Sequence, residues 1–411
     1  MVIRKQYLEQ LVKWKDEAII KVITGIRRCG KSTLLLQFKD WLIDSGVLEN
    51  QIIYINFEDL AYEHLCDYKS FYAYVTNELA PKQKKYLLLD EIQRVDEFEK
   101  AINSLTLNPD VDLYLTGSNA YLLSGELATY LSGRYVEISV LPFSFAEYAS
   151  VFAEENKEKL FASYLEFGGF PYTTVLSNDQ YLDMQKISMY FEGIYNTILV
   201  KDIEERHKRR NENARKITDI ALIKNIAKFL ASSIGNPISV KSITDYINSS
   251  GRKISQNTVA DYLQFLTEAF IFYPVERFDI QGKQLLKVGQ KYYAADLGLR
   301  RFMISRKEYD LGFSLENVVY FELVRRGFAV NIGKYGTQEV DFVCRKDTVY
   351  SYFQVTASMI DEKTFAREMA PLKVIQDNYP KIVLTLDNLT IGNYDGIEVI
   401  NVLDWLLDSS L

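Results

Sequence analysis

The octapeptide Gly25-Ile26-Arg27-Arg28-Cys29-Gly30-Lys31-Ser32 constrains this chain more than any other stretch of it. It has the form G-x-x-x-x-G-K-[ST]. An apolar run, AIIKVITG (18–25), precedes it, and a helical pattern follows, STLLLQFKDWLIDSG, with Gly46 as its C-terminal stop. The glycines permit a tight loop whose backbone N–H groups, with the N-terminus of the next helix, can wrap phosphates. In that setting Lys31 reaches the β- and γ-phosphates of a nucleoside triphosphate, and Ser32 offers its hydroxyl to Mg²⁺. Gly25, Arg28, Cys29, Gly30 and Thr33 complete the cradle. Arg27 and Arg28 either touch phosphate or a neighbouring subunit, or remain solvated.

Four more apolar runs follow: IIYINFE (52–58), YLLLDEI (86–92), DLYLTGS (112–118) and YVEISV (135–140). Five buried-type strands separated by crossovers predict an α/β fold with a parallel sheet covered by helices on both faces. The third run ends in two carboxylates. Asp90 is suited to the magnesium shell, and Glu91 to orienting or deprotonating a water beside the γ-phosphate. Leu115-Thr116-Gly117-Ser118-Asn119 ends the next run in small polar groups, where a hydroxyl or amide could sense that phosphate. Arg134 starts the last strand and is the best arginine for transition-state charge, in cis or in trans. Glu58 and Asp59, ending the second strand, could tune the water network.

Composition narrows the partners. Lys and Arg number 48 against 55 Asp and Glu, a net charge of −7, so nucleic-acid contact requires a local basic patch. Three dispersed cysteines suit a reducing compartment better than a disulfide framework. With two histidines and no paired Cys spacing, a zinc site built from His and Cys is excluded, and any metal is held mainly by oxygen. The opening residues lack a signal-like apolar stretch, and no run approaches the roughly 18 apolar residues of a membrane span. The expectation is a cytoplasmic protein without membrane contact.

Beyond the first region (1–144) the strand signal gives way to aromatic-rich helical segments (145–215), interrupted at EFGGFPY (166–172). Over 216–300, three helical stretches and the strand-like IFYPVERF and KYYAAD make a winged helix-turn-helix. Its third helix, opened by Ser255, carries Lys253, Gln256, Asn257 and Thr258 near its start, positions that could read DNA. Arg206-His207-Lys208-Arg209-Arg210 with Arg215 and Lys216 (206–216) is the densest basic cluster, able to neutralise phosphates or to cap a solvated helix. Residues 301–411 read as a second α/β domain.

The blocks GIRRCGKSTLL, YINFEDL, LLLDEIQ, LTGSNAYLLSGELATYLSGRY with LPFSFAEY, and EFGGFP resemble the prokaryotic AAA-type P-loop ATPases of the archaeal-ATPase-like group. The C-terminal part of those proteins is a domain of unknown function of the DUF4143 type. The resemblance implies ATP rather than GTP, and a sheet of the additional-strand type, with a polar-ended strand between the P-loop strand and the acidic-ended strand. That would place Ser118 and Asn119 near the γ-phosphate. In related ATPases the winged helix often serves as a protein-contact lid, so an unknown protein partner and oligomerisation both remain open.

The C-terminal domain resembles the PD-(D/E)xK nuclease fold, with Glu316 on a helix, Asp341 on a strand and Gln354-Val355-Thr356 on the next. Metal-assisted cleavage wants a second acid and a lysine where Gln354 and Thr356 stand. A degenerate fold used for binding is expected. The sequence thus reads as an Mg²⁺-dependent, AAA/STAND-like ATPase whose nucleotide state repositions a winged helix and a nuclease-like domain. Its rivals are an ATP-holding nucleic-acid-binding regulator with negligible turnover, and an ATP-gated nuclease.

Overall fold

The computed structural model describes residues 2–79, 83–117, 133–152, 156–177, 184–199, 219–249, 251–304 and 310–408. The chain forms two compact units, Met1–Pro142 with Glu268–Phe270, and Phe143–Thr267 with Ile271–Leu411. None of the described helices is long and apolar enough to cross a membrane.

Each of the five apolar runs of the first unit is a strand: β1 (Ile20–Thr24), β2 (Ile52–Asn56), β3 (Lys85–Asp90), β4 (Val111–Thr116) and β5 (Tyr135–Ser139). They lie in the order β2-β3-β4-β1-β5, all parallel. The additional strand is β4, between the P-loop strand β1 and the acidic-ended β3, as the resemblance implies. Strands covered on both faces need apolar residues in succession, and β1, β3 and β4 are buried throughout.

Alternation divides their side chains between two helical layers. Leu87, Leu89, Leu113 and Leu115 pack with Phe71 and Val75 of α3 (Tyr68–Glu78) and with Ile102 and Leu105 of α4 (Phe98–Leu105). In α4, Phe98, Ala101, Ile102 and Leu105 are buried at i, i+3, i+4 and i+7, the stripe a core-facing helix requires. On the other face Tyr114 meets Phe38 of α2 (Lys31–Asp44), ring centroids 4.5 Å apart. The short N-terminal helix α1 (Lys5–Lys13) buries Tyr7 and Leu11.

The second unit holds an eight-stranded mixed sheet, β12-β13-β11-β10-β9-β8-β6-β7, built from β6 (Phe272–Asp279), β7 (Gln284–Ala294), β8 (Ala329–Tyr335), β9 (Gln338–Lys346), β10 (Val349–Thr356), β11 (Lys381–Thr385), β12 (Gly392–Tyr394) and β13 (Ile397–Asn401). The hairpin β6–β7 follows three helices, Ile220–Ser232, Val240–Ser249 and Gln256–Glu268. It joins the C-terminal strands through a parallel β6–β8 pairing, Arg277 opposite Ile332, so one sheet runs across residue 300. The helix Leu311–Arg325 covers this sheet with a nearly all-buried sequence.

The EFGGFP block has a structural task in this unit. Asp296 caps the helix Leu297–Met303 by accepting the Leu299 N–H at 2.8 Å, and it also accepts the Gly169 N–H at 2.6 Å. Gly168 sits at φ 71°, and a Cβ there would stand 2.2 Å from an Asp296 carboxylate oxygen, so only glycine lets the loop approach. Burial pushes the Asp296 carboxyl up to about 6, an effect the backbone donors partly offset.

Within the first sheet, Lys21 of β1 is fully buried against Asp112 of β4. Lys21 also donates to the Glu17 carbonyl at 2.8 Å, and the Tyr114 hydroxyl donates to Asp112 at 3.1 Å. Burial draws the Lys21 ammonium below its usual range while Asp112 opposes the shift. Removing one member of a buried pair leaves an uncompensated charge, which costs about 3–5 kcal/mol. Asp112→Ala should therefore lower the melting temperature of this unit strongly. The double change Lys21→Met with Asp112→Leu should recover most of the loss in calorimetry, and a single mutant that melts with the wild type would remove the pair from the fold's support.

Candidate nucleotide site

The loop from Gly25 to Gly30 is the whole connection between β1 and α2. Gly25 adopts φ 139°, and a Cβ there would lie 2.1 Å from the Val140 carbonyl oxygen, a distance no side chain tolerates. Gly30 caps α2 at φ 103° without any side-chain hydrogen bond, so the first-turn N–H groups of this fourteen-residue helix are offered to an anion. Arg28, although not glycine, stands at φ 68°, with its side chain exposed. Lys31 is buried at 4% exposure, its ammonium donating to the carbonyls of Gly25 at 2.9 Å and Ile26 at 3.2 Å. The charge thus sits within the ring of N–H groups.

A brace holds this loop from outside. Arg4, 2% exposed at the start of α1, donates to the Cys29 carbonyl at 3.1 Å and to the Leu141 carbonyl at 2.9 Å. Its guanidinium lies 4.7 Å from the Tyr7 ring centre. Cys29 is fully buried, and burial pushes its thiol above the usual value, so it is an inert packing group of the loop.

At the neighbouring strand ends, β3 and β4 are in register from Lys85 opposite Val111 to Leu89 opposite Leu115, which sets Asp90 beside Thr116. The Thr116 hydroxyl donates to Asp90 Oδ1 and accepts the Glu91 N–H at 3.0 Å. Asp90 is fully buried, and burial pushes its carboxyl up while the Thr116 and Ser32 hydroxyls pull it back. Its second oxygen, Oδ2, is buried without a hydrogen bond among the described residues. A buried carboxylate oxygen on the Ser32 side of the site fits a divalent cation, which takes oxygen ligands and needs few from the protein. Glu91 follows at φ 55°, leaving the strand's alternation, and its Oε2 accepts from the Gln93 side chain.

The structure thus gathers Gly25, Gly30, Lys31, Ser32, Thr33, Asp90 and Glu91 around the ends of β1 and β3. Ser118 and Asn119 lie outside the described residues, as does the basic cluster 206–216. Arg134 is not brought to the loop. Its carbonyl accepts the Ile20 N–H at 2.9 Å, at the start of β1. With all strands parallel, the loop lies at the other end of β1, about 13 Å along the strand. The Arg134 side chain is exposed. Glu58 pairs with Arg94 at 3.3 Å on the surface, and Asp59 caps the turn Leu60–Leu65, so both have local tasks. Three groups went unread in the sequence: Thr116 as the link between the acids, Arg4 as brace, and Gln93.

In the second unit, Glu316, Asp341 and Gln354 also come together. Gln354 Oε1 accepts the Asp341 N–H at 3.3 Å, and Asp341 Oδ2 accepts the Val355 N–H at 2.8 Å. The sequence pattern offers no lysine for this cluster, yet β7 supplies one. Lys291 lies 3.1 Å from Glu316 and 2.8 Å from Glu339, and the Tyr293 hydroxyl donates to Glu316 at 2.5 Å. Burial alone would lower the Lys291 ammonium, but Glu316, Asp341 and Glu339 outweigh it and hold the group charged. Asp341 is pushed well up by burial and by Glu316. No three His, Cys, Asp or Glu side chains among the described residues are arranged to hold a metal ion.

The model of an AAA domain matches residues 17–149. Residues 158–310 match a domain of unknown function, DUF8612, where the resemblance implied the DUF4143 type. An uncharacterized protein of Haemophilus influenzae is 40% identical over 412 residues, covering 99% of each chain. An uncharacterized protein of Methanocaldococcus jannaschii is 30% identical over 409 residues, covering 94% of this chain and 85% of its own. A Walker-type ATPase of Pyrococcus abyssi is similar in structure at 16% identity and a TM-score of 0.49, over 74% of this chain and 96% of that one.

Thr116 is the buried joint of the site, and its removal has a distinct signature. Thr116→Val keeps the shape but takes the acceptor from the Glu91 N–H and the Thr116 donor from Asp90 Oδ1, at about 1–3 kcal/mol for a buried group left stranded. Thr116→Ser keeps both bonds and should unfold in urea close to wild type. Equal stability for the valine variant and wild type would strip the hydroxyl of its role.

Proposed function

This chain belongs to the AAA-type P-loop ATPase family, and we propose that it binds ATP with Mg²⁺ and hydrolyses it at the Lys31–Asp90–Glu91 site. The observation that carries the reading is the buried, unpartnered oxygen of Asp90 on the Ser32 side of a glycine loop that already encloses a lysine. Ser32 and Asp90 would hold Mg²⁺, whose charge offsets that of the phosphates. Lys31 exchanges its loop carbonyls for the β- and γ-phosphate oxygens. The first-turn N–H groups of α2 take the remaining phosphate charge. Glu91 accepts a proton from the attacking water. In this reading Ser118 and Asn119 face the γ-phosphate, and Arg134 has no part in its own chain's site, so a role in catalysis requires a second copy.

The nucleotide state is proposed to reposition the rest of the chain. Arg4 bonds the loop at Cys29 and the backbone at Leu141, one residue before the first unit ends at Pro142. In this reading a shift of the loop reaches, through Arg4, the backbone that leaves the first unit after β5. In the second unit we read residues 145–215 as a helical lid and 216–300 as a winged helix-turn-helix. The winged-helix reading is supported by the antiparallel bridge of Ile238, ahead of the second helix, to Gln290 of the hairpin, closed by a 2.8 Å hydrogen bond. Lys253, Gln256 and Asn257 are exposed at the start of the third helix, a surface suited to DNA.

The loop and the base are separable by experiment. Lys31→Ala removes the loop's lysine and should abolish ATP binding in calorimetric titration, with the fold kept. Glu91→Gln keeps the shape without the base, so ATP should bind near wild-type affinity while turnover falls at least a hundredfold. Unchanged ATP affinity in Lys31→Ala would sink the loop assignment, and hydrolysis within twofold of wild type in Glu91→Gln would move the base elsewhere.

Residues 301–411 are read as a nuclease-like fold that binds without cutting. Lys291 and Glu316 neutralise each other, and Glu368 accepts the Gln354 amide at 3.1 Å and pairs with Arg367, so the lysine and the acids around Asp341 are already taken up by partners of their own. Purified protein should leave supercoiled and single-stranded DNA intact under Mg²⁺ or Mn²⁺, with or without ATP. Nicking that disappears in Asp341→Ala is the result that would promote the nuclease reading.

A further inference from the structure

Gln93 stands on the 3₁₀ turn Ile92–Arg94, immediately after Glu91, and is 2% exposed. Its two terminal atoms are in different situations. Nε2 donates to Glu91 Oε2. Oε1 is buried and makes no hydrogen bond among the described residues. A buried acceptor left without a donor is rare in native structures, and it points to a donor that arrives with the reaction. Glutamate has three side-chain torsions, and the bond from Thr116 fixes only its backbone. The Gln93 amide holds one oxygen of the carboxylate.

We infer that Gln93 is the positioning residue of hydrolysis: its Nε2 aims the Glu91 carboxylate, and its Oε1 accepts the second hydrogen of the attacking water. This rests on the ATPase reading of the site. The water oxygen forms a bond to Pγ as the bond from Pγ to the bridging oxygen breaks, its electron pair leaving with ADP. One water proton passes to the Glu91 carboxylate, and the other stays on the phosphate formed. Two acceptors on one turn define the water's orientation, and positioning of this kind is most of what phosphoryl transfer asks of a protein. Glu91, at φ 55°, ends the strand and begins the 3₁₀ turn that carries Gln93.

The test is a double-mutant cycle on the full chain, with ATP binding measured by titration and hydrolysis by single turnover with labelled ATP. Gln93→Leu should cut the hydrolysis rate tenfold or more while ATP affinity stays within twofold. In the Glu91→Gln background the same change should cost much less than in the wild type, since the aim of the Glu91 carboxylate no longer counts and only the bond to the water is lost. Gln93→Asn, whose amide is one methylene short, should resemble the leucine variant, and it replaces that variant should leucine fail to fold. Hydrolysis within twofold of wild type in either variant overturns the inference, as does a loss that multiplies with that of Glu91→Gln or a matching fall in ATP affinity. Turnover lost in Glu91→Gln but kept in the Gln93 variants defeats this inference alone, whereas a wild-type chain without turnover defeats the ATPase reading and the inference together.

Discussion

The hydroxyl of Thr116 is the point on which the first unit's chemistry depends. It is fully buried, it donates to Asp90 and it accepts from the Glu91 backbone, so one atom fixes a carboxylate and the turn beyond it. That position exists only because β4 lies between β1 and β3. Were β3 beside β1, Asp90 would face the P-loop strand directly, with no strand end to brace it. The inserted strand sets the acid two strand spacings from the loop strand, about 10 Å, and fills the gap with a small hydroxyl. The buried Lys21–Asp112 pair serves the same strand at its other end, so β4 is tied to β1 and to β3 by polar contacts at opposite edges.

Most of this unit is legible in the sequence because its information is local. The strand runs show themselves by burial on both faces, and the glycine loop by a spacing that few other uses require. What is hidden is whatever the sheet's geometry decides. Thr116 lies within a motif whose family resemblance points to Ser118 and Asn119 instead, and only the β3–β4 register singles Thr116 out. Arg134 opens β5, and the sequence does not tell a strand's start from its functional end until parallel pairing with β1 sets the direction. Gln93 reads as an ordinary polar residue until the turn after Glu91 brings the two side chains together.

The second unit was less legible for a related reason. Its eight-stranded sheet is assembled from hairpin strands and C-terminal strands far apart in sequence, joined by the β6–β8 pairing. Lys291 therefore enters the acidic cluster from a strand that a sequence reading assigns to a different domain. The outcome is a charge-compensated core. Glu316 faces Lys291 and Tyr293, and Glu368 takes up Gln354 and Arg367. Such networks are stable when every member is satisfied and costly when one is removed.

Asp90 and Glu91 are chemically alike and adjacent, yet the backbone gives them different work. Asp90 is the last residue of a regular strand, so its side chain is committed to the face that carries Tyr114 and α2, where Ser32 lies. A second strand residue would point to the opposite face and be lost in the apolar core of α3 and α4. The left-handed conformation of Glu91 avoids that, at the steric cost any L residue with a side chain incurs there. Arg28 accepts the same kind of conformation in the glycine loop. The two non-glycine residues of the site that break the local rule are thus the ones flanking the place where phosphate and water must meet, and the Thr116 and Arg4 hydrogen bonds hold the neighbouring backbone in place.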